Sequence, residues 1–239
     1  MDFAPYYRTN VKKSVKEDRE QIIAGFQEIV KSGARVGLRL VNYYRGLPLS
    51  YPATLVEVTR GVLELDVHRQ QAVALENNRH TFVKCDYFDS AILAEVMNVN
   101  VRSMTASLRR FSFVQILAEN RSSLRLELEP QTDAELRWEG SVHTGKVLDL
   151  SLGGFSIRTA DHCEIPKGAE ATVIVMVPNL LQNTLSKLET KATLVESSRE
   201  GDWDICRFCI VADLQSEALI SRFIFQRQVE IIRELKVNS

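Results

Sequence analysis

The sequence predicts a mainly β protein: two small antiparallel β-barrel domains, with one helix near the start of the chain and another at its end. Three observations predict it. Short alternating apolar runs recur along most of the chain, with the two-residue period of half-buried strands. Turn-type clusters of Gly, Pro and Asn separate them. Helical spacing of apolar residues appears clearly in only two stretches, one towards each end. A chain of 239 residues has room for two such domains, each with its own core.

Composition narrows the function classes. Hydrophobic residues make up 45% and charged residues 26%, ordinary values for a globular protein. With 30 basic against 31 acidic residues the formal charge is −1, so no global pull on nucleic acid or anionic membrane is expected. No helix-turn-helix pattern is visible either, and DNA is not an expected partner. The first residues lack the basic-then-apolar layout of a signal peptide, and no run approaches the ~18 apolar residues of a membrane span. A cytoplasmic protein is expected.

Taken in order, residues 1–13 read as a loose arm. Residues 14–31 read as an amphipathic helix on Ile22, Ile23, Phe26, Ile29 and Val30, closed by Ser32 and Gly33. Strand-like runs follow at 35–41, 53–59, 62–67, 71–75 and 81–85, with turns at 44–48, at Arg60 and Gly61, and at 76–79. The apolar stretch 91–101 fits helix or strand. These elements make an N-terminal helix and β-rich domain over 1–101, and the small polar residues 102–108 read as a linker. A second barrel is expected over 109–239, with runs at 111–117, 124–128, 134–138, 143–150, 154–159, 171–177, 190–196 and 203–211. In one of them Leu124, Leu126 and Leu128 alternate with Arg125, Glu127 and Glu129, which buries one face of a strand. The terminal helix, 216–235, carries Leu219, Ile220, Phe223, Ile224, Ile231, Ile232 and Leu235, a face wide enough to leave room for a homodimer.

Little in the chain points to catalysis. No phosphate-binding loop, GxSxG or HExxH is present, so no enzymatic activity, cofactor or metal is expected. Cys206 and Cys209 form a lone CxxC within a strand pattern, where residues three apart point to opposite faces, and half a zinc site is all they could supply. His68 and His80 lack a second ligand at metal-binding spacing.

The stretch 146–158 stands out. Val147 and Ile157 lie in strand patterns that flank DLSLGG, where Asp149 and Ser151 precede the paired Gly153 and Gly154. Short polar side chains there can bond backbone or ligand, and glycine permits close approach of another group. Upstream, Arg109 and Arg110 enter a strand-like run. Together these features resemble the PilZ domain, whose pattern is RxxxR followed some tens of residues later by D/NxSxxG. Asp149, Ser151 and Gly154 match the second motif; Arg109 takes the first arginine position, and Phe113 stands at the second.

The resemblance implies a six-stranded barrel in a flagellar-brake-like arrangement and a receptor for cyclic di-GMP that relays the signal to a protein partner. Motility, pili, biofilm and virulence systems are the implied settings. It places Arg109, Arg110, Asp149, Ser151, Gly153 and Gly154 at the ligand, with the arginines on phosphate or guanine, Asp149 on guanine N1 and N2, and the 102–110 stretch folding over it. Phe113 keeps an alternative open: a degenerate PilZ adaptor that binds no cyclic di-GMP and works through protein contacts alone.

Overall fold

The computed structural model describes residues 6–160, 162–210 and 213–237. The chain forms two compact units: Met1–Tyr44, Pro48–Arg121 and Arg233–Ser239 make the first, Arg45–Leu47 and Ser122–Ile232 the second.

The first unit begins with β1 (Tyr7–Thr9) and α1 (Val15–Ser32). Residues 7–9 are therefore no loose arm: they pair antiparallel with residues 114–116, while residues 1–5 lie outside the described part. Ser14 caps α1 by accepting from the Glu17 backbone N–H at 3.2 Å, and its hydroxyl donates to the Glu17 carboxylate at 2.6 Å. Gly33 ends the helix in the left-handed conformation, φ 66°. Ile22, Phe26 and Ile29 are its buried stripe.

The strands follow as β2 (Leu38–Tyr44), β3 (Leu47–Thr59), β4 (Val62–Val67), β5 (His80–Cys85), β6 (Ala91–Asn100) and β7 (Thr105–Ile116). Their order is β1-β7-β4-β3-β2-β5-β6, and an added β7–β6 pairing gives the sheet a ring-like course. Leu40, Leu63, Leu65, Val83, Ile92, Leu108, Phe111 and Phe113 build the core with the helix. The stretch 91–101 resolves as strand.

Two further sequence expectations fail in this unit. Residues 71–75 are not a strand but lie in α2 (Arg69–Glu76), capped by the His68 side chain. A short continuous apolar run does not reveal its period, and Gln, Ala, Leu and Glu favour helix. Buried polar bonds hold α2 in place: Gln71 and Thr81 both donate to Asn42 Oδ1, at 2.7 and 2.6 Å. Nor are residues 102–108 a linker. After a turn, Thr105 opens β7, and Ala106 and Leu108 face the core at 2% and 0% exposure. Ser, Thr and Ala look like linker composition, yet here they alternate inward and outward along a strand. The chain passes from the first unit to the second at Arg121 and Ser122, after a single 3-10 turn at Leu117–Asn120.

The second unit contains β8 (Leu126–Glu127), β9 (Asp133–Trp138), β10 (Ser141–Ser151), β11 (Gly154–Thr159), β12 (Glu170–Asn179), β13 (Thr184–Glu200), β14 (Trp203–Ile210) and α3 (Leu214–Val237). Strands run in the order β11-β14-β13-β12-β9-β10-β8, and pairing of β11 with β10 closes six of them into a barrel. Val147, Leu150, Phe155, Ile157, Leu194 and Phe208 fill its interior. The end of the expected run 203–211, Val211, lies outside the described residues. Gln226 of α3 is buried, donates to Asn179 Oδ1 at 3.1 Å and accepts from the Leu180 N–H at 2.8 Å, fixing the helix to the end of β12. Among the described residues no helix is long and apolar enough to cross a membrane.

Asp204 sets the acid stability of this unit. Its carboxylate is 2% exposed and accepts from the Cys163 N–H at 2.9 Å, from Arg199 at 2.9 Å, and pairs with His162 at 2.7 Å. These contacts, the Cys163 N–H foremost, hold its pKa at about 2 against an ordinary 3.8. A depressed folded value means the stabilisation is complete above the ordinary value and is lost as pH falls through about 2. Asp204→Asn is therefore expected to flatten the fall in melting temperature between neutral and acid pH. An unchanged acid slope in thermal melts would refute this assignment.

Candidate functional site

The 149–154 turn joins β10 to β11, and its geometry depends on an irregularity. Between Val147 and Asp149 the register of β10 against β11 shifts by one residue, a β-bulge at Leu148. Strict alternation would put Val147 and Asp149 on the same face. The extra residue lets Val147 and Leu150 both face the barrel interior, each 0% exposed, while Asp149 turns outward.

The outward row can be followed across the sheet by register. Glu127 on β8 stands opposite Asp149, Asp149 opposite Ser156 on β11, Ser156 opposite Arg207 on β14, and Arg207 opposite Glu196 on β13. A second bulge, between Leu194 and Glu196, brings Glu196 into line. The neighbouring row, Leu126, Leu150, Phe155, Phe208 and Leu194, is the core face, no member more than 3% exposed.

Asp149 is met by a cation. Arg125 Nε lies 3.5 Å from Asp149 Oδ1, with both side chains largely shielded, 31% and 21% exposed. At that separation the pair is a loose ion pair rather than a tight hydrogen bond, so the guanidinium is not locked into it. Across the ladder the Glu127 carboxyl is pushed above its ordinary value, by burial first and by the charge of Asp149 second, with Arg227 opposing. Arg125 and Arg227 thus stand against Asp149 and Glu127 in a half-buried cluster of mixed charge.

Ser151 is buried and donates to the carbonyl oxygen of Gly154 at 2.9 Å, closing the turn on itself. Gly154 is placed by contact: a Cβ there would lie 2.0 Å from the Phe208 carbonyl oxygen. Gly153 is different. It is exposed, and a Cβ would find only the Ser123 hydroxyl, at 3.6 Å. The Gly153 carbonyl also accepts from the Ile210 N–H at 3.1 Å, tying the turn to β14.

The other expected site residues lie elsewhere. Arg109 and Arg110 belong to β7 of the first unit, where both grip Glu95, at 2.6 and 2.9 Å. That grip, the Arg109 hydrogen bond above all, holds the Glu95 carboxyl below its ordinary value. Phe113 is 1% exposed, a core residue edge-on to Phe88 with ring centroids 6.1 Å apart. The RxxxR spacing occurs in a second place, nearer the 149–154 turn. Arg121-Ser-Ser-Leu-Arg125 satisfies RxxxR as written, immediately ahead of β8. That spacing is legible in the sequence. Cys206 is buried and Cys209 exposed, on opposite faces of β14 as expected, and among the described residues no cluster of metal-ligating side chains is found.

The PilZ domain family matches residues 119–226, a segment that begins just before Arg121 and contains the 149–154 turn. No curated relative matches the chain. Among solved structures, YcgR from Escherichia coli in complex with c-di-GMP is 16% identical, with full coverage of both chains and a TM-score of 0.45. The Bacillus subtilis inhibitor of motility MotI/DgrA is 13% identical, covering 83% of this chain and 99% of its own, TM-score 0.43. The K. pneumonia MrkH–c-di-GMP complex is 14% identical, covering 90% and 96%, TM-score 0.44. The matched span holds both motifs of the PilZ pattern, RxxxR at Arg121 and Arg125 and DxSxxG at Asp149, Ser151 and Gly154, so this part of the chain is similar to a PilZ domain.

Proposed function

We propose that the chain is a cyclic di-GMP receptor whose binding signal is passed to a protein partner. The observation that supports this reading is the approach of Arg125, the second arginine of the RxxxR spacing, to Asp149 of the DxSxxG turn within the second unit. Guanine presents N1 and N2 donors on one edge and O6 and N7 acceptors on another. Asp149 suits the first, and a guanidinium fork suits the second or a phosphate. Arg125 stands by Asp149 without a short bond, ready to exchange that contact for the ligand. Arg121, the other arginine of the spacing, lies in the first unit with its guanidinium 5.1 Å over the Tyr6 ring. Ser151 acts by bracing the turn, and Gly153 leaves its surface open. The adaptor reading drew its support from Phe113 at an arginine position, and it loses that support now that Phe113 lies in a core.

Calorimetric titration with cyclic di-GMP tests this. The native chain is expected to give saturable binding, and Arg125→Ala to weaken it roughly ten- to a hundredfold, the worth of about 1.5–3 kcal/mol for a charge-assisted bond. Arg109→Ala is expected to bind as the native chain does. A native chain silent at saturating ligand, or Arg125→Ala binding unimpaired, would defeat the proposal.

A further inference from the structure

The outward row does not end at Asp149. Ser156, next along it on β11, faces away from the barrel interior, yet it is only 2% exposed. Its hydroxyl has no hydrogen-bond partner among the described residues. A buried polar group left without a partner is costly, and such groups are rare unless something else meets them. The neighbour on its far side is Arg207 of β14, a quarter exposed.

Arg207 is held loosely. Its Nη1 lies 3.3 Å from Glu196 and 3.2 Å from the Ser198 hydroxyl, and its Nη2 lies 3.8 Å from Glu200. Arg109, in contrast, reaches Glu95 at 2.6 Å. Charge-assisted bonds of full strength are 2.7–2.9 Å long, so Arg207 has donor capacity that its present partners do not consume. The bulge between Leu194 and Glu196 is what places these carboxylates opposite it; in regular alternation Glu196 would face the core.

We infer that Ser156 and Arg207 form the far end of the nucleotide site, taking a phosphate group of cyclic di-GMP while Asp149 and Arg125 hold the guanine end. The inference rests on the receptor reading above and extends it. One hydroxyl donor and one guanidinium, side by side on adjacent strands, are the donor set a phosphate needs. Asp149 and Arg207 are separated by one intervening strand, hence about 10 Å between backbones, a span on the scale of one guanylate unit. Glu196 and Glu200 act as placeholders, keeping the guanidinium on the row until an anion displaces them.

The experiment is titration of cyclic di-GMP into the full chain and into Arg207→Ala, Arg207→Lys, Ser156→Ala, Glu196→Gln and Asp149→Ala, each checked for its melting temperature. Arg207→Ala is expected to bind ten- to a hundredfold more weakly, with Arg207→Lys between it and the native chain because lysine keeps the charge and loses the fork. Ser156→Ala is expected to lose several-fold. Glu196→Gln frees Arg207 without removing it and is expected to tighten binding a few-fold, a gain no unfolded variant could show. If Arg207→Ala and Glu196→Gln both bind within twofold of the native chain while Asp149→Ala fails, this inference is wrong and the receptor reading stands. If the native chain does not bind, both fall.

Discussion

Phe113→Arg is expected to unfold the first unit. Phe113 is 1% exposed in the main core of that unit, against Phe88, and the Lys12 ammonium already sits 4.3 Å above its ring. Removing a buried phenylalanine costs about 3–5 kcal/mol in lost contacts and cavity. A guanidinium in its place adds the cost of an unpaired buried charge, several kcal/mol more, with Lys12 as a like-charged neighbour. The sum rivals the roughly 5–15 kcal/mol that holds a typical domain together. The measurement is limited proteolysis with mass mapping, which should find cleavage throughout residues 48–121 and protection in the second barrel. Native-like resistance over both units would mean that the side chain at 113 is not enclosed as described. The same substitution would be a repair if the arginine pattern began at Arg109, so the two placements of that pattern make opposite predictions.

Gly154→Ala is expected to cost the second unit about 3 kcal/mol or more. The new methyl would lie 2.0 Å from the Phe208 carbonyl oxygen and 3.3 Å from the Cys209 Cα, both backbone atoms of the paired strand. No rotamer relieves a clash of Cβ with backbone; the strands must part, which breaks the pairing at Gly154 and Cys209. Overpacking penalties of about 1–3 kcal/mol assume side chains that can yield, and here none can. For a chain of this size that is a fall of roughly 6–12 °C in melting temperature. Gly153→Ala serves as the contrast. With only the Ser123 hydroxyl at 3.6 Å, its melting temperature should stay within about 1 °C of native, the range of a benign surface change. Differential scanning calorimetry of the pair separates a glycine needed by the fold from one that merely leaves its surface open. Equal losses would show that the turn is not seated on β14 as described.

How much of this was legible in the chain varied with the kind of signal. Helix α1 was readable to within a residue at each end because capping chemistry, Ser14 and Gly33, marks both ends. Val62–Val67 and Gly154–Thr159 were readable because apolar alternation and flanking turn residues agree there. Helix α2 was not, since its run of small apolar residues is buried on every side and carries no period. The strand at 105–108 was hidden by residues whose small size suits a linker as well as a crowded barrel. The 149–154 turn was legible as chemistry, whereas its neighbours Ser156 and Arg207 were not. They lie about fifty residues apart, and only the strand order β10-β11-β14 makes them adjacent.

The bulge at Leu148 has a consequence of its own, best put as parity. In an alternating strand, even and odd positions belong to different environments, and one inserted residue exchanges them from that point on. The chain uses that exchange to keep Val147 and Leu150 inside while setting Asp149 outside, and Val195 does the same for Leu194 and Glu196. The two odd residues are therefore the grammar of the surface rather than its vocabulary: deleting Leu148 would leave plain alternation with Val147 and Leu150 still inside and Asp149 still outside, whereas drawing Leu148 into the regular ladder would turn every residue beyond it about, setting Leu150 on the outer face and the Asp149 carboxylate in the core.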